Sequence, residues 1–203
     1  MTPSGGRPPS GRRPGPPPEV GRAFVAVRPP DDVLEAVGTA IAGARRAVVG
    51  PRWAEPDKWH LTLQFLGPVA VLGPVVDALA EVGRLPSFPA RLGGAGAFPN
   101  RRRARVVWIG AVEGAEPMIG VAAAVGRALA PLGYETERGP FRPHLTVARL
   151  RTPSDVAPVL DAIGEGSIGP AWTVDEVVLY GSRLSSAGAR YTPLARVPLT
   201  AGA

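Results

Sequence analysis

Apolar residues bunch between Arg22 and Arg28 and stop at Pro29-Pro30, a short run that predicts a first strand rather than a helix. Asp31 then stands as an N-cap, and Val33, Leu34, Val37 and Ile41 recur at helical spacing to about Ala44. Trp59 to Leu66 alternates and is closed by Gly67-Pro68, which predicts a second strand. A helix follows, with Pro74 in its first turn and Val75, Val76, Leu79 and Val82 along one stripe. Residues 87–98 read as a strand loosened by glycine.

The order then repeats. Arg105 to Ile109 predicts a strand, Glu116 to about Leu132 a helix, His144 to Leu150 a strand, and Ser154 opens another helix. Closing strands are expected near 172–181 and 190–197. Aligning Phe24 with Val107, and independently His60 with His144, gives offsets that differ by a single residue. Such agreement marks an internal repeat of roughly eighty residues. A two-lobed α+β fold with antiparallel or mixed sheets follows, each lobe carrying one histidine-bearing strand.

The length of 203 residues suits one such body, read here as a single domain over 21–200. Seven prolines and four glycines crowd into residues 1–18, where arginine supplies the only side-chain charges; residues 1–20 read as a disordered basic tail. No secretory signal or run long enough to span a membrane is recognisable, so a cytoplasmic protein is expected. The absence of Cys excludes disulfides, thiolate metal sites and a cysteine nucleophile. A formal net charge of +6, carried almost wholly by arginine, favours a phosphate-bearing partner, although an arginine-rich composition also arises without one.

The chain has only two histidines, and each opens the same tetrapeptide: His60-Leu-Thr-Leu63 and His144-Leu-Thr-Val147. Alternation on a strand places His60 with Thr62 on one face and Leu61 with Leu63 on the other, and likewise in the second copy. If the repeat brings the two strands together, two imidazoles and two hydroxyls converge on one cleft. A pair of imidazoles sharing one proton near neutrality supplies an acid and a base, which suits in-line attack at phosphorus without a metal. The threonine hydroxyls are placed to donate to non-bridging oxygens. Two histidines with no carboxylate in either tetrapeptide leave a zinc site short of ligands, so neither metal nor cofactor is expected.

Lys58-Trp-His-Leu-Thr-Leu-Gln-Phe-Leu-Gly67 and Pro140-Phe-Arg-Pro-His-Leu-Thr-Val-Ala-Arg149 resemble the paired HxTx motifs of the 2H phosphoesterases, most closely the bacterial RNA 2′,3′-cyclic phosphodiesterases, historically called 2′-5′ RNA ligases. The likeness extends over Arg22–Pro29, Ala104–Gly110 and the stretch from Val174 to Leu194, nearly everything after the first twenty residues. It implies a bilobal, pseudo-symmetric α+β fold with the active cleft between lobes, and hydrolysis of a cyclic phosphate to a 2′-phosphomonoester. By motif position, His60 would be the acid protonating the departing 3′ oxygen and His144 the base activating water, with Thr62 and Thr146 on the phosphate oxygens. The partner implied is RNA or an oligonucleotide with a 2′,3′-cyclic phosphate end; independently of the resemblance, a monomer without a membrane partner is expected. Ligation by the reverse chemistry, or a binding module without turnover, are the alternatives.

Substrate contacts are sought at Arg149, Phe65 and Tyr191. Strict alternation puts Arg149 on the wrong face unless a bend or bulge re-aims it. Phe65 alternates with Leu61 and Leu63, so core packing is its default and base stacking its alternative. Tyr191 and Thr192 reach the cleft or pack an edge strand. Phe141 and Arg142 lie in the loop entering the second motif. Arg101, Arg102, Arg103 and Arg105 form either a solvated run or an RNA-attracting border. Trp53, Trp59, Trp108 and Trp172 read as core or hinge residues.

Overall fold

A computed structural model describes residues 21–47, 50–136, 139–185 and 188–202. The expected tail over 1–20 lies outside them. Among the described residues nine strands and four α-helices follow in the order β1 Arg22–Val27, α1 Asp31–Ala47, β2 Arg52–Trp53, β3 Leu61–Pro68, α2 Leu72–Leu79, β4 Phe88–Phe98, β5 Ala104–Glu113, α3 Ala115–Leu129, β6 His144–Ser154, α4 Ala157–Ile163, β7 Ser167–Val174, β8 Glu176–Ser185 and β9 Gly188–Pro198. Short 3-10 turns extend α2 over Ala80–Arg84 and α3 over Ala130–Leu132, so Val82 and Leu132 lie just past the α-helices expected to hold them.

Three boundaries differ from the sequence reading. Ser154 ends β6 rather than opening a helix; α4 starts three residues later, where the Asp155 side chain accepts the Ala157 N–H at 2.8 Å. The stretch near 172–181 is two strands broken at Asp175, and they sit in different parts of the sheet. The two-residue β2, too short for a periodic signal, pairs with β6.

The strands follow the order β7-β4-β5-β6-β3-β1-β8-β9, antiparallel at each junction. Read outward from the centre, β3 mirrors β6, β1 mirrors β5, β8 mirrors β4 and β9 mirrors β7, which is the pseudo-symmetry the repeat implied. Its chain path was not legible. β4, which closes the first repeat in sequence, pairs into the half that carries His144. The helices cross over too: α1 packs on α4 and β7, and α3 on α2 and β3. At one such contact α1 comes so near β7 that a Cβ on Gly169, whose φ is +74°, would meet Ala36 at 2.9 Å.

The two halves meet at one register pair, Leu61 opposite Leu145, and both side chains are fully buried. Each contributes about 1.5–3 kcal/mol of transfer free energy. They belong to a single core that runs through both halves and includes Val25, Val27, Ile109, Leu129 and Leu179. Trp59 is buried in it, as the core reading expected, with its ring over Gly38 of α1.

Candidate active site

Because Leu61 and Leu145 are directly opposite in an antiparallel pair, the residues beside them interleave: His60 faces Thr146 and Thr62 faces His144. Side chains next to a pair project from the opposite face, so all four polar groups leave the sheet away from the buried leucines. His60 and His144 stand on the diagonal, where Cβ atoms in a regular ladder lie about 7–8 Å apart. That gap takes a tetrahedral phosphate group.

Each imidazole is oriented by the carbonyl two residues before it. The Nδ1 of His144 lies 2.7 Å from the Arg142 carbonyl oxygen, and a ring N–H of His60 bonds the Lys58 carbonyl. With Nδ1 donating to that carbonyl, a neutral His144 ring carries its lone pair on Nε2. His60 stacks on Phe24 with 4.7 Å between centroids, and Tyr191 meets it edge-on at 5.3 Å. Burial by this packing lowers its pKa from 6.5 to about 4, partly opposed by the Lys58 carbonyl and reinforced by the positive charge of Arg149 and by His144. His144 lies edge-on to Phe98 at 5.0 Å and 6.1 Å from Trp108.

One irregularity, made twice, decides which further residues reach the site. In β3, Ala26 pairs with Thr62 and Val25 with Gln64, so Leu63 is an extra residue; in β6, Trp108 pairs with Thr146 and Val107 with Ala148, so Val147 is extra. Each bulge shifts the alternation by one. Gln64 and Ala148 therefore turn inward and are buried, while Phe65 and Arg149, both five residues after a histidine, turn onto the cleft face. Arg149 is thus re-aimed as a bulge would allow. Phe65 is not a core residue: it is 52% exposed, with its ring 6.0 Å from Phe24. By the same ladders Phe24 corresponds to Val106, not Val107.

Tyr191 is brought to His60, joining a pocket of about 240 Å³ lined also by Phe24, Arg28, Tyr180 and Arg196. Phe24 and Tyr180, which line it, pack with Ala26 and Val178 in a small apolar cluster of their own. Phe24 and Tyr180 were missed because both sit in unbroken apolar runs, where alternation gives no sign of which face matters. Arg28 and Arg196 are held there by Asp31 and Glu176.

The remaining candidates divide. Arg142 lies over the Trp108 ring, 5.7 Å from its centroid, and Trp108 is half-buried beside His144 rather than sealed in the core. Its indole fits only because residue 96 is glycine, where a Cβ would come within 2.1 Å of the ring. Phe141 packs against the core. Arg101 pairs with Asp161 at 3.1 Å and Arg105 donates to the Arg151 carbonyl, toward the Ser154 end of β6 and away from His144; Arg102 and Arg103 are exposed in the β4–β5 turn. Trp53 is half-buried under Arg45 and Trp172 lines a separate pocket. The buried Gln64 donates to the carbonyls of Tyr134 and Glu135, tying the first motif's strand to the segment that leads into the second.

Comparison with known proteins agrees with this geometry. A family model described as the 2′-5′ RNA ligase superfamily matches residues 29–184. The RNA 2′,3′-cyclic phosphodiesterase of Methanothermobacter thermautotrophicus is 32% identical over 179 residues, covering 85% of this chain and 96% of that protein. The crystal structure of TT0787 of Thermus thermophilus superimposes with a TM-score of 0.73 at 30% identity, covering 89% of this chain and 98% of the other. E. coli LigT complexed with 3′-AMP superimposes at 0.68 with 29% identity, covering 89% and 98%. The match spans most of the chain and both histidine strands, and the chain belongs to the 2′-5′ RNA ligase superfamily.

Proposed function

We propose that this protein is an RNA 2′,3′-cyclic phosphodiesterase that opens the cyclic phosphate at an RNA or oligonucleotide end to leave a 2′-phosphomonoester. Residues 21–200 would act as one two-lobed unit, monomeric and cytoplasmic. The observation that carries the reading is the interleaving of His60, Thr62, His144 and Thr146 around the Leu61–Leu145 pair. Nε2 of His144 takes a proton from water as it attacks phosphorus, and His60 on the opposite side protonates the departing 3′ oxygen. The bond formed is from water oxygen to phosphorus, and the bond broken is from phosphorus to the 3′ oxygen. Thr62 and Thr146 donate to the non-bridging oxygens, where charge builds, and Arg149 adds a cation beside them. Phe65 and Tyr191 offer aromatic faces to the nucleoside.

His60 is neutral in the empty site at pH 7, and a bound phosphate anion supplies the charge that raises its pKa and loads the proton. An imidazole held low beforehand gives that proton up readily. The test is hydrolysis of a 2′,3′-cyclic nucleotide in excess EDTA, with the product's phosphate position assigned by phosphorus NMR. A 2′-phosphate product at an undiminished rate is expected. A 3′-phosphate product, or binding without turnover, would overturn the reading.

A further inference from the structure

Beyond the reacting phosphate, three cations collect at one end of the cleft. Arg52 of β2 stands directly opposite Arg149 of β6, so their side chains leave the sheet on the same face, the one the Val147 bulge turns toward the histidines. Like charges at directly opposite positions destabilise a strand pair. Arg52 and Lys58, the chain's one lysine, both reach Gly188: a Cβ built there would lie 3.7 Å from the Arg52 guanidinium and 3.5 Å from the Lys58 Nζ. Among the described residues none of these three cations has a carboxylate within ion-pair distance, whereas Arg28, Arg84, Arg91, Arg101 and Arg196 each do. The Arg149 charge is felt at His60, and Lys58 stands two residues before that histidine in the chain.

Resting on the function proposed above, we infer that Arg52 and Lys58, with Arg149 at the rim, form a second phosphate subsite that takes the phosphate on the 5′ side of the nucleoside carrying the cyclic end. The preferred substrate is then an oligonucleotide or a 5′-phosphorylated nucleotide, not a nucleoside 2′,3′-cyclic phosphate alone. A second anion removes the mutual repulsion of Arg52 and Arg149 and makes charge-assisted hydrogen bonds that a nucleoside lacking a 5′-phosphate cannot offer. The arginine run at 101–105 has no part in this subsite.

Two measurements test it. The first compares kcat/KM for adenosine 2′,3′-cyclic phosphate with and without a 5′-phosphate; the second compares equilibrium binding of adenosine 3′-phosphate and adenosine 3′,5′-bisphosphate by calorimetry. The 5′-phosphate should improve both by about tenfold or more at low salt, and the advantage should shrink as salt rises. Arg52→Gln and Lys58→Gln should each bring the ratio toward one. Equal affinity of the unaltered protein for the two adenosine phosphates, or a ratio unchanged in both variants, overturns the subsite whether or not turnover is seen. Preference for the bisphosphate with no hydrolysis of either cyclic substrate would uphold the subsite and reject the proposed reaction.

Discussion

Phe24 lies stacked on His60, with ring centroids 4.7 Å apart and planes inclined by 28°. The contact shields an imidazole from water on the face where it would otherwise be solvated, and burial is the leading cause of its pKa of about 4. In proton NMR the His60 ring of the free protein should therefore titrate far below the ordinary histidine range. Saturating phosphate should raise its midpoint, and Arg149→Gln should raise it in the empty site by removing a nearby positive charge. A midpoint near 6.5 without ligand would contradict the shielding.

The same shift fixes a pH dependence of stability. His60 titrates near 6.5 when unfolded and near 4 when folded, so between those values the unfolded chain binds more protons. His60's contribution to stability is whole above about pH 6.5 and is lost as the pH falls toward 4, with a slope of at most ~1.4 kcal/mol per pH unit. Urea unfolding at a series of pH values should show this slope in the natural chain and a shallower one in His60→Asn.

Catalysis should divide by pH in a corresponding way. Free-enzyme pKa values govern kcat/KM and those of the substrate complex govern kcat. Since the phosphate anion raises the pKa of His60, kcat should hold to higher pH than kcat/KM does. Coincident profiles would mean that substrate does not load the proton.

Removing either imidazole should be costly without unfolding the protein. His60→Ala and His144→Ala are each expected to lower kcat by at least about 10²-fold, with circular dichroism unchanged. Both rings are half-buried at the mouth of the cleft rather than in the core beneath it. Activity retained in both variants would reject the two-histidine mechanism.

Phe65 and Leu145 should separate binding from stability. Phe65 is 52% exposed, so Phe65→Ala is expected to raise KM while changing stability by less than about 0.5 kcal/mol. Leu145 is fully buried at the junction of the halves, and Leu145→Ala should cost about 2–5 kcal/mol. Chemical denaturation and steady-state kinetics on the same two variants provide the check.

Local order wrote much of this protein into its residues. Alternation in His60–Leu63 and His144–Val147 separates two polar pairs from two apolar ones, and the repetition of that pattern announces two matching strands. The buried face of β3 and β6, the existence of the helices and the convergence of His60, Thr62, His144 and Thr146 follow from those short-range periods once the strands are paired. What the periods could not contain is anything that depends on the partner strand. The bulges at Leu63 and Val147 exist only because β1 and β5 fix a register that leaves one residue over, and they alone turn Phe65 and Arg149 toward the cleft. The crossing of β4 into the far half and the meeting of Arg52 with Arg149 are likewise long-range pairings. A strand's own sequence sets which residues alternate; only the ladder it joins decides where that alternation breaks.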